Sequence, residues 1–212
     1  MTHTLHRRGD KASLQDDYVL LAMSAKGVND KGSAGKTKQL LQIAAKHNPV
    51  NLGNMTSGNL QRRGFKGIFE RFTDQSIVHA PFAEKENLVE CLKELKQENL
   101  GMSVVISGDF DGTFACLRKV GLIPHTVQYS LGVFGKTARL PSEDVLELTT
   151  MCGHHLVSPN LVKKMLLDLR RGRISLEEAA QTLAKQCQCG VFNPSKAVRL
   201  LERMLEKQQI GK

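Results

Sequence analysis

The sequence predicts an α/β protein: a small parallel βαβαβ sheet core flanked by an N-terminal helical segment and a C-terminal helical unit. Three observations predict it. Between Ser76 and Val133 short apolar runs alternate with stretches of helical period, and Pro81, Gly101 and Gly121 separate them. Two β-helix-β steps of this length imply parallel strands with right-handed crossovers. After Ser142 the apolar residues recur only at helical spacing, each run opened by a capping signal. The implied segments are 1–75, 76–140 and 141–212, within the reach of a single domain.

Within the first segment, Ser13 reads as the N-cap of a helix to about Lys26. Asp16 and Asp17 lie in its positive first turn, and Tyr18, Leu21, Ala22 and Ala25 share one face. Lys36 to His47 is a second amphipathic helix stopped by Asn48-Pro49. Gly35-Lys36-Thr37 has the ending of a phosphate-binding loop, but the glycine that opens that pattern would fall at Asp30 and no strand precedes it. Val50 to Gly64 is a long polar loop, the kind that serves as a lid or connector. Phe65, Ile68, Phe69 and Phe72 then resume helical spacing and dock on the core.

The middle segment supplies the sheet. Ser76 to Ala80 is its first strand, and Glu84 to Asn99 a helix that turns Leu88, Leu92 and Leu95 inward. Met102 to Ser107 is a buried strand, Phe110 to Val120 the next helix, and His125 to Val133 the third strand. In an open parallel sheet ligands sit beyond the carboxyl ends of the strands. Those ends carry His79-Ala80-Pro81, then Gly108 to Thr113, then the turn Gly132 to Lys136, where Gly132, Gly135 and Lys136 suit a small anionic ligand.

The run Val104-Val105-Ile106-Ser107-Gly108-Asp109-Phe110-Asp111-Gly112-Thr113 resembles the first motif of haloacid-dehalogenase-like phosphatases, in which an apolar strand runs into Asp-x-Asp-Gly-Thr. The resemblance covers about ten residues. It implies Asp109 as nucleophile, Asp111 as general acid and base, and a magnesium ion offsetting the charge of carboxylates and phosphate. The ordinary reading of the same residues is a helix cap, with Gly112 easing the turn.

The C-terminal unit is the best signalled. Ser142 precedes a helix to Cys152-Gly153, and Ser158-Pro159 combines an N-cap with a proline at the first helical position. Ser175-Leu176-Glu177-Glu178 is a capping box, and Asn193-Pro194 opens the last helix. Two helices of about 13 residues run ~20 Å each, so a tight turn between them brings Cys152-Gly153-His154-His155 back to Cys187-Gln188-Cys189-Gly190. Cys152, His154, His155, Cys187 and Cys189 then form a ligand set for zinc or an iron–sulfur cluster. The Cys-x-Cys spacing is shorter than a zinc knuckle, which tips this reading toward iron–sulfur. Thiol redox chemistry and plain packing are the competing uses, and Cys91 and Cys116, in the two crossover helices, read as core.

Composition bounds the rest. The formal charge is +9, spread as +6, −3 and +6 over residues 1–75, 76–150 and 151–212, so basic flanks enclose a slightly acidic middle. Basic surface attracts polyanions, but 5% aromatic residues and no Trp supply a poor stacking platform, and nucleic acid is a lesser expectation. Met1 to Asp10 lacks the apolar stretch of a signal peptide, and no run nears the ~20 apolar residues of a membrane span. The expected setting is cytoplasmic, where five cysteines point to reduced thiols or metal ligation rather than disulfides.

Overall fold

Tyr-Val-Leu-Leu-Ala-Met at positions 18–23 decides the architecture, and it is a strand. The computed structural model describes residues 4–210, so the first three residues of the Met1–Asp10 stretch lie outside the described residues. In order, the elements are α1 (Lys11–Leu14), β1 (Tyr18–Met23), α2 (Ala34–Lys46), β2 (Gly53–Asn54), β3 (Gly58–Asn59), α3 (Leu60–Phe69) and β4 (Val78–Phe82). There follow α4 (Lys85–Glu98), β5 (Ser103–Ser107), α5 (Phe110–Val120), α6 (Glu143–Thr149), α7 (Pro159–Arg170), α8 (Leu176–Gln186) and α9 (Pro194–Ile210).

The sheet order is β3-β2-β4-β1-β5, and every neighbouring pair is antiparallel. This overturns the parallel βαβαβ core. Because β1 runs antiparallel to both β4 and β5, those two strands do point the same way, as the crossover through α4 requires. They are not neighbours, however: β1 lies between them, pairing Leu20 with Ala80 on one side and Ile106 on the other.

Two expected elements fail for identifiable reasons. The helix expected over Ser13 to Lys26 is β1, because a strand buried on both faces is apolar at every position and carries no period that separates it from a helix. Its expected cap, Ser13, sits inside the short α1, which Asp10 caps, and Ser13 bonds to Glu147 instead. The strand expected over His125 to Val133 is absent: those residues form no ladder and are exposed throughout.

Successive residues of β1 feed two cores. Val19 and Leu21 pack with Leu148, Leu166, Leu183 and Phe192 among α6 to α9, whereas Tyr18, Leu20 and Ala22 pack with Leu41, Ile68, Leu88 and Leu92 among α2 to α4. The result is a sheet between two helical layers. Cys91 and Cys116 are buried in the second core, as expected. The polar stretch from Val50 to Gly64 is no open loop: it folds as the β2-β3 hairpin and the first turn of α3, with Asn51, Asn54 and Asn59 buried. Among the described residues, no helix is long and apolar enough to cross a membrane.

Candidate metal centre

Two four-residue turns face each other at one end of the α7-α8 hairpin. Ser158 Oγ accepts from Leu161 N at 3.2 Å with Pro159 in the first turn, so α7 starts where the sequence places it. At the other helix, Ser175 Oγ accepts from Glu178 N at 3.1 Å while Glu178 Oε2 accepts from Ser175 N at 2.8 Å, the reciprocal pair of a capping box. With 12 and 11 residues, α7 and α8 are matched in length, and the chain returns to where it began.

Each turn is closed by a backbone hydrogen bond from residue four to residue one. His155 N donates to Cys152 O at 2.9 Å, and Gly190 N donates to Cys187 O at 3.1 Å. Both close in the left-handed region, with φ +56° at His155 and +84° at Gly190. Cys152, Cys187 and Cys189 are all fully buried. The Cys187 and Cys189 sulfurs lie 3.9 Å apart, and His154 Nδ1 lies 3.6 Å from Cys189 Sγ. Cys152 is buried in the same cluster, close enough to Cys187 for the two thiols to perturb one another. The structure therefore joins Cys152, His154, Cys187 and Cys189, and it leaves His155, the exposed left-handed residue, on the outside. Among the described residues, no group of three or more His, Cys, Asp or Glu side chains is placed so that it could hold a metal ion as it stands.

The thiols form a graded chain. The neighbouring Cys187 thiol, reinforced by burial, pushes the Cys152 thiol far up. At Cys187 the Cys152 thiol works downward, but its own bond to Cys189 and burial outweigh it and push the thiol up to about 12. Cys189, accepting from Cys187, is held below the usual thiol value despite burial.

Arg7 supplies the matching charge. Its side chain is 6% exposed and ion-paired to the fully buried Asp17, which also lies 3.7 Å from Lys196 Nζ. Burial lowers the guanidinium to about 10, while the charges of Cys187, Cys189 and Cys152 work upward, so it stays protonated at neutral pH. Two cations thus share one carboxylate, a buried excess of one positive charge that a thiolate would cancel. Arg7 also ties the two turns: one Nη2 donates to Val191 O at 2.6 Å and to Met151 O at 3.4 Å. Its Nε has no hydrogen-bond acceptor among the described residues.

The β2-β3 hairpin holds the second turn from outside. Asn59 Nδ2 donates to Cys187 O at 2.7 Å and Ala184 O at 3.3 Å, and Asn51 Nδ2 donates to Phe192 O at 3.1 Å. Backbone meets backbone where Gly190 crosses Leu52-Gly53: a Cβ on Gly190 would lie 2.8 Å from Leu52 C, and one on Gly53 would lie 2.8 Å from Cys189 O. Sequence reasoning missed Arg7, Asp17, Lys196, Asn51 and Asn59. The glycines and asparagines crowded into 51–59 were the available signal; nothing local marks Arg7.

The other expected site residues lie elsewhere. Asp109 caps α5, accepting from Gly112 N at 2.9 Å, and its other oxygen accepts from Tyr18 OH at 2.6 Å. Burial and that bond push the Tyr18 phenol up. Gly112 is needed because a Cβ there would lie 1.9 Å from Tyr18 OH. Asp111 is on the surface, paired with Lys11 at 2.7 Å, which holds its carboxyl below the usual range. Gly132, Gly135 and Lys136 lie in the exposed stretch that forms no strand, outside both cores.

No family model, no curated protein and no solved structure matches this chain. What can be said of the site rests on its own chemistry. Thiolates and neutral imidazole are the donor types that soft and borderline metal ions take, and three buried thiols and an imidazole lie here beside a buried positive charge.

Proposed function

We propose that the protein is a metal-binding α/β protein whose centre is Cys152, His154, Cys187 and Cys189, with zinc as the ion that the spacing fits. One observation carries this reading. Tetrahedral zinc at about 2.3 Å from sulfur and about 2.0–2.1 Å from nitrogen sets sulfur–sulfur edges of about 3.8 Å and sulfur–nitrogen edges of about 3.6 Å. The Cys187–Cys189 and Cys189–His154 separations are 3.9 and 3.6 Å. A four-iron cluster holds each cysteine on a different iron and so spreads the sulfurs further apart. The Cys-x-Cys spacing that favoured iron–sulfur is accommodated by the Cys187–Gly190 turn, which sets sulfurs two residues apart side by side.

Charge supports the same reading. Zinc with three thiolates and one neutral imidazole carries a net charge of minus one, which balances the buried excess on Arg7, Asp17 and Lys196. Side-chain rotation would complete the tetrahedron from these neighbours. Four protein ligands close the coordination sphere, so the role is structural: the ion staples the α7-α8 hairpin shut and secures it to the sheet through Arg7 and the asparagines. Reduced thiols fit a cytoplasmic setting.

The test is anaerobic purification followed by elemental analysis and visible absorbance. One zinc per chain is expected, lost in Cys187→Ser and Cys189→Ser, with unfolding shifted to lower temperature on chelation. Iron with visible absorbance would replace zinc by a cluster at the same cysteines. Protein free of both metals would overturn the proposal.

A further inference from the structure

The stretch after α5 is exposed along its length. From 125 to 140 every residue is exposed. Yet Val127, Tyr129, Leu131 and Val133 alternate with Thr126, Gln128, Ser130 and Gly132, the period of a strand with one apolar face. Leu131 is 78% and Phe134 80% exposed, and no Lys, Arg, Asp or Glu occurs from Leu122 to Gly135. Among the described residues only Phe110, against Tyr129, makes a ring contact with this stretch, and exposed apolar runs of this extent mark association surfaces.

The sheet has the matching deficit. Strand β5 is its last strand, paired with β1 alone, and no backbone group of Ser103 to Ser107 bonds to any further segment among the described residues. Its sequence, Ser-Val-Val-Ile-Ser, is uncharged; Ser103 is exposed and the other four residues are half-buried, whereas β4 is buried throughout and β1 at all but Met23. Natural edges are guarded by charge, proline or a bulge, and this one carries none of these. Tyr129 touches Phe110 with ring centres 6.4 Å apart, so the stretch leaves the body beside the carboxyl end of β5.

We propose that residues 126–133 are a sixth strand supplied in trans, pairing with the β5 edge of a second copy of this chain so that two chains exchange strands about a twofold axis. Among the described residues the chain carries both halves of the contact, an apolar run with no ladder and a β5 edge that pairs with β1 alone and meets Thr4 only through the Ser107 hydroxyl, and isologous exchange satisfies both at once. Neither half is charged, whereas the chain as a whole carries +9, so this is where two copies approach without repulsion.

Light scattering after size exclusion, with hydrogen exchange on the same samples, tests this. The wild type is expected at twice the 23.5 kDa chain mass, with amides of 103–107 and 126–133 protected together and losing protection together on dilution. The double variant Val127→Lys, Leu131→Lys is expected at the single-chain mass with an unchanged circular dichroism spectrum. A wild-type monomer overturns the proposal whether 126–133 is protected, meaning it docks on its own chain, or unprotected, meaning a different partner covers it. A dimer that survives the double variant overturns it as well.

Discussion

Substituting Gly190 by alanine tests whether the Cys187–Gly190 turn is seated on the sheet as described. At φ +84° an alanine pays the left-handed penalty of about 1–2 kcal/mol. Its Cβ would also lie 2.8 Å from Leu52 C and 2.9 Å from Gly53 N, both backbone atoms of the β2 segment that cannot rotate away. Overpacking of this kind costs about 1–3 kcal/mol, so the total is about 2–5 kcal/mol. Gly172 is the control: it has φ +63° with nothing within 4 Å of an added Cβ, so Gly172→Ala should cost the left-handed penalty alone. Urea unfolding of both variants reads the difference, and metal stoichiometry should fall in the first alone. Equal destabilisation of the two would refute the close seating of the turn on Leu52-Gly53.

Three further outcomes follow from the same geometry. Asn59→Ala removes three hydrogen bonds, two donated to Cys187 O and Ala184 O and the α3 cap bond accepted from Arg62 N, and should destabilise by about 2–4 kcal/mol in urea titration. Tyr18→Phe removes the bond to Asp109 and should cost about 1–3 kcal/mol, while a cost near zero would mean the Asp109 cap does not need the phenol. Burial first, then repulsion from Arg7, lowers the Lys196 ammonium from 10.5 to about 8, against the pull of Glu147 and Asp16 and with Arg199 adding to the repulsion. Between about pH 8 and 10.5 the unfolded chain therefore binds the extra proton, and stability contributed by this group should rise with pH across that window and be flat below it. Urea midpoints for wild type and Lys196→Met at pH 8 and pH 10 check it: identical pH slopes would contradict the assignment.

Much of the candidate site is legible in the sequence because its determinants are local. Ser158-Pro159 and Ser175 to Glu178 set helix starts through hydrogen bonds reaching three residues, and two helices of similar length then bring Cys152 back to Cys187. The same locality misleads at Ser142, which precedes α6 without making a side-chain cap bond. Choosing between His154 and His155 was beyond the pattern, because it depends on the left-handed close of the first turn at His155.

By itself, then, the sequence determined the helical punctuation of the C-terminal unit, the two strands β4 and β5 with the helix between them, and the meeting of three cysteines. Only the tertiary structure decided that Tyr18–Met23 is a strand, that it inserts between β4 and β5 to make every pairing antiparallel, and that Arg7 and the hairpin asparagines enclose the thiols. The physical reason is range. A cap or a turn is settled by groups three residues apart, whereas strand order and a buried counter-charge such as Arg7, which reaches the carbonyl of Val191, are settled by contacts between distant parts of the chain that no local pattern records.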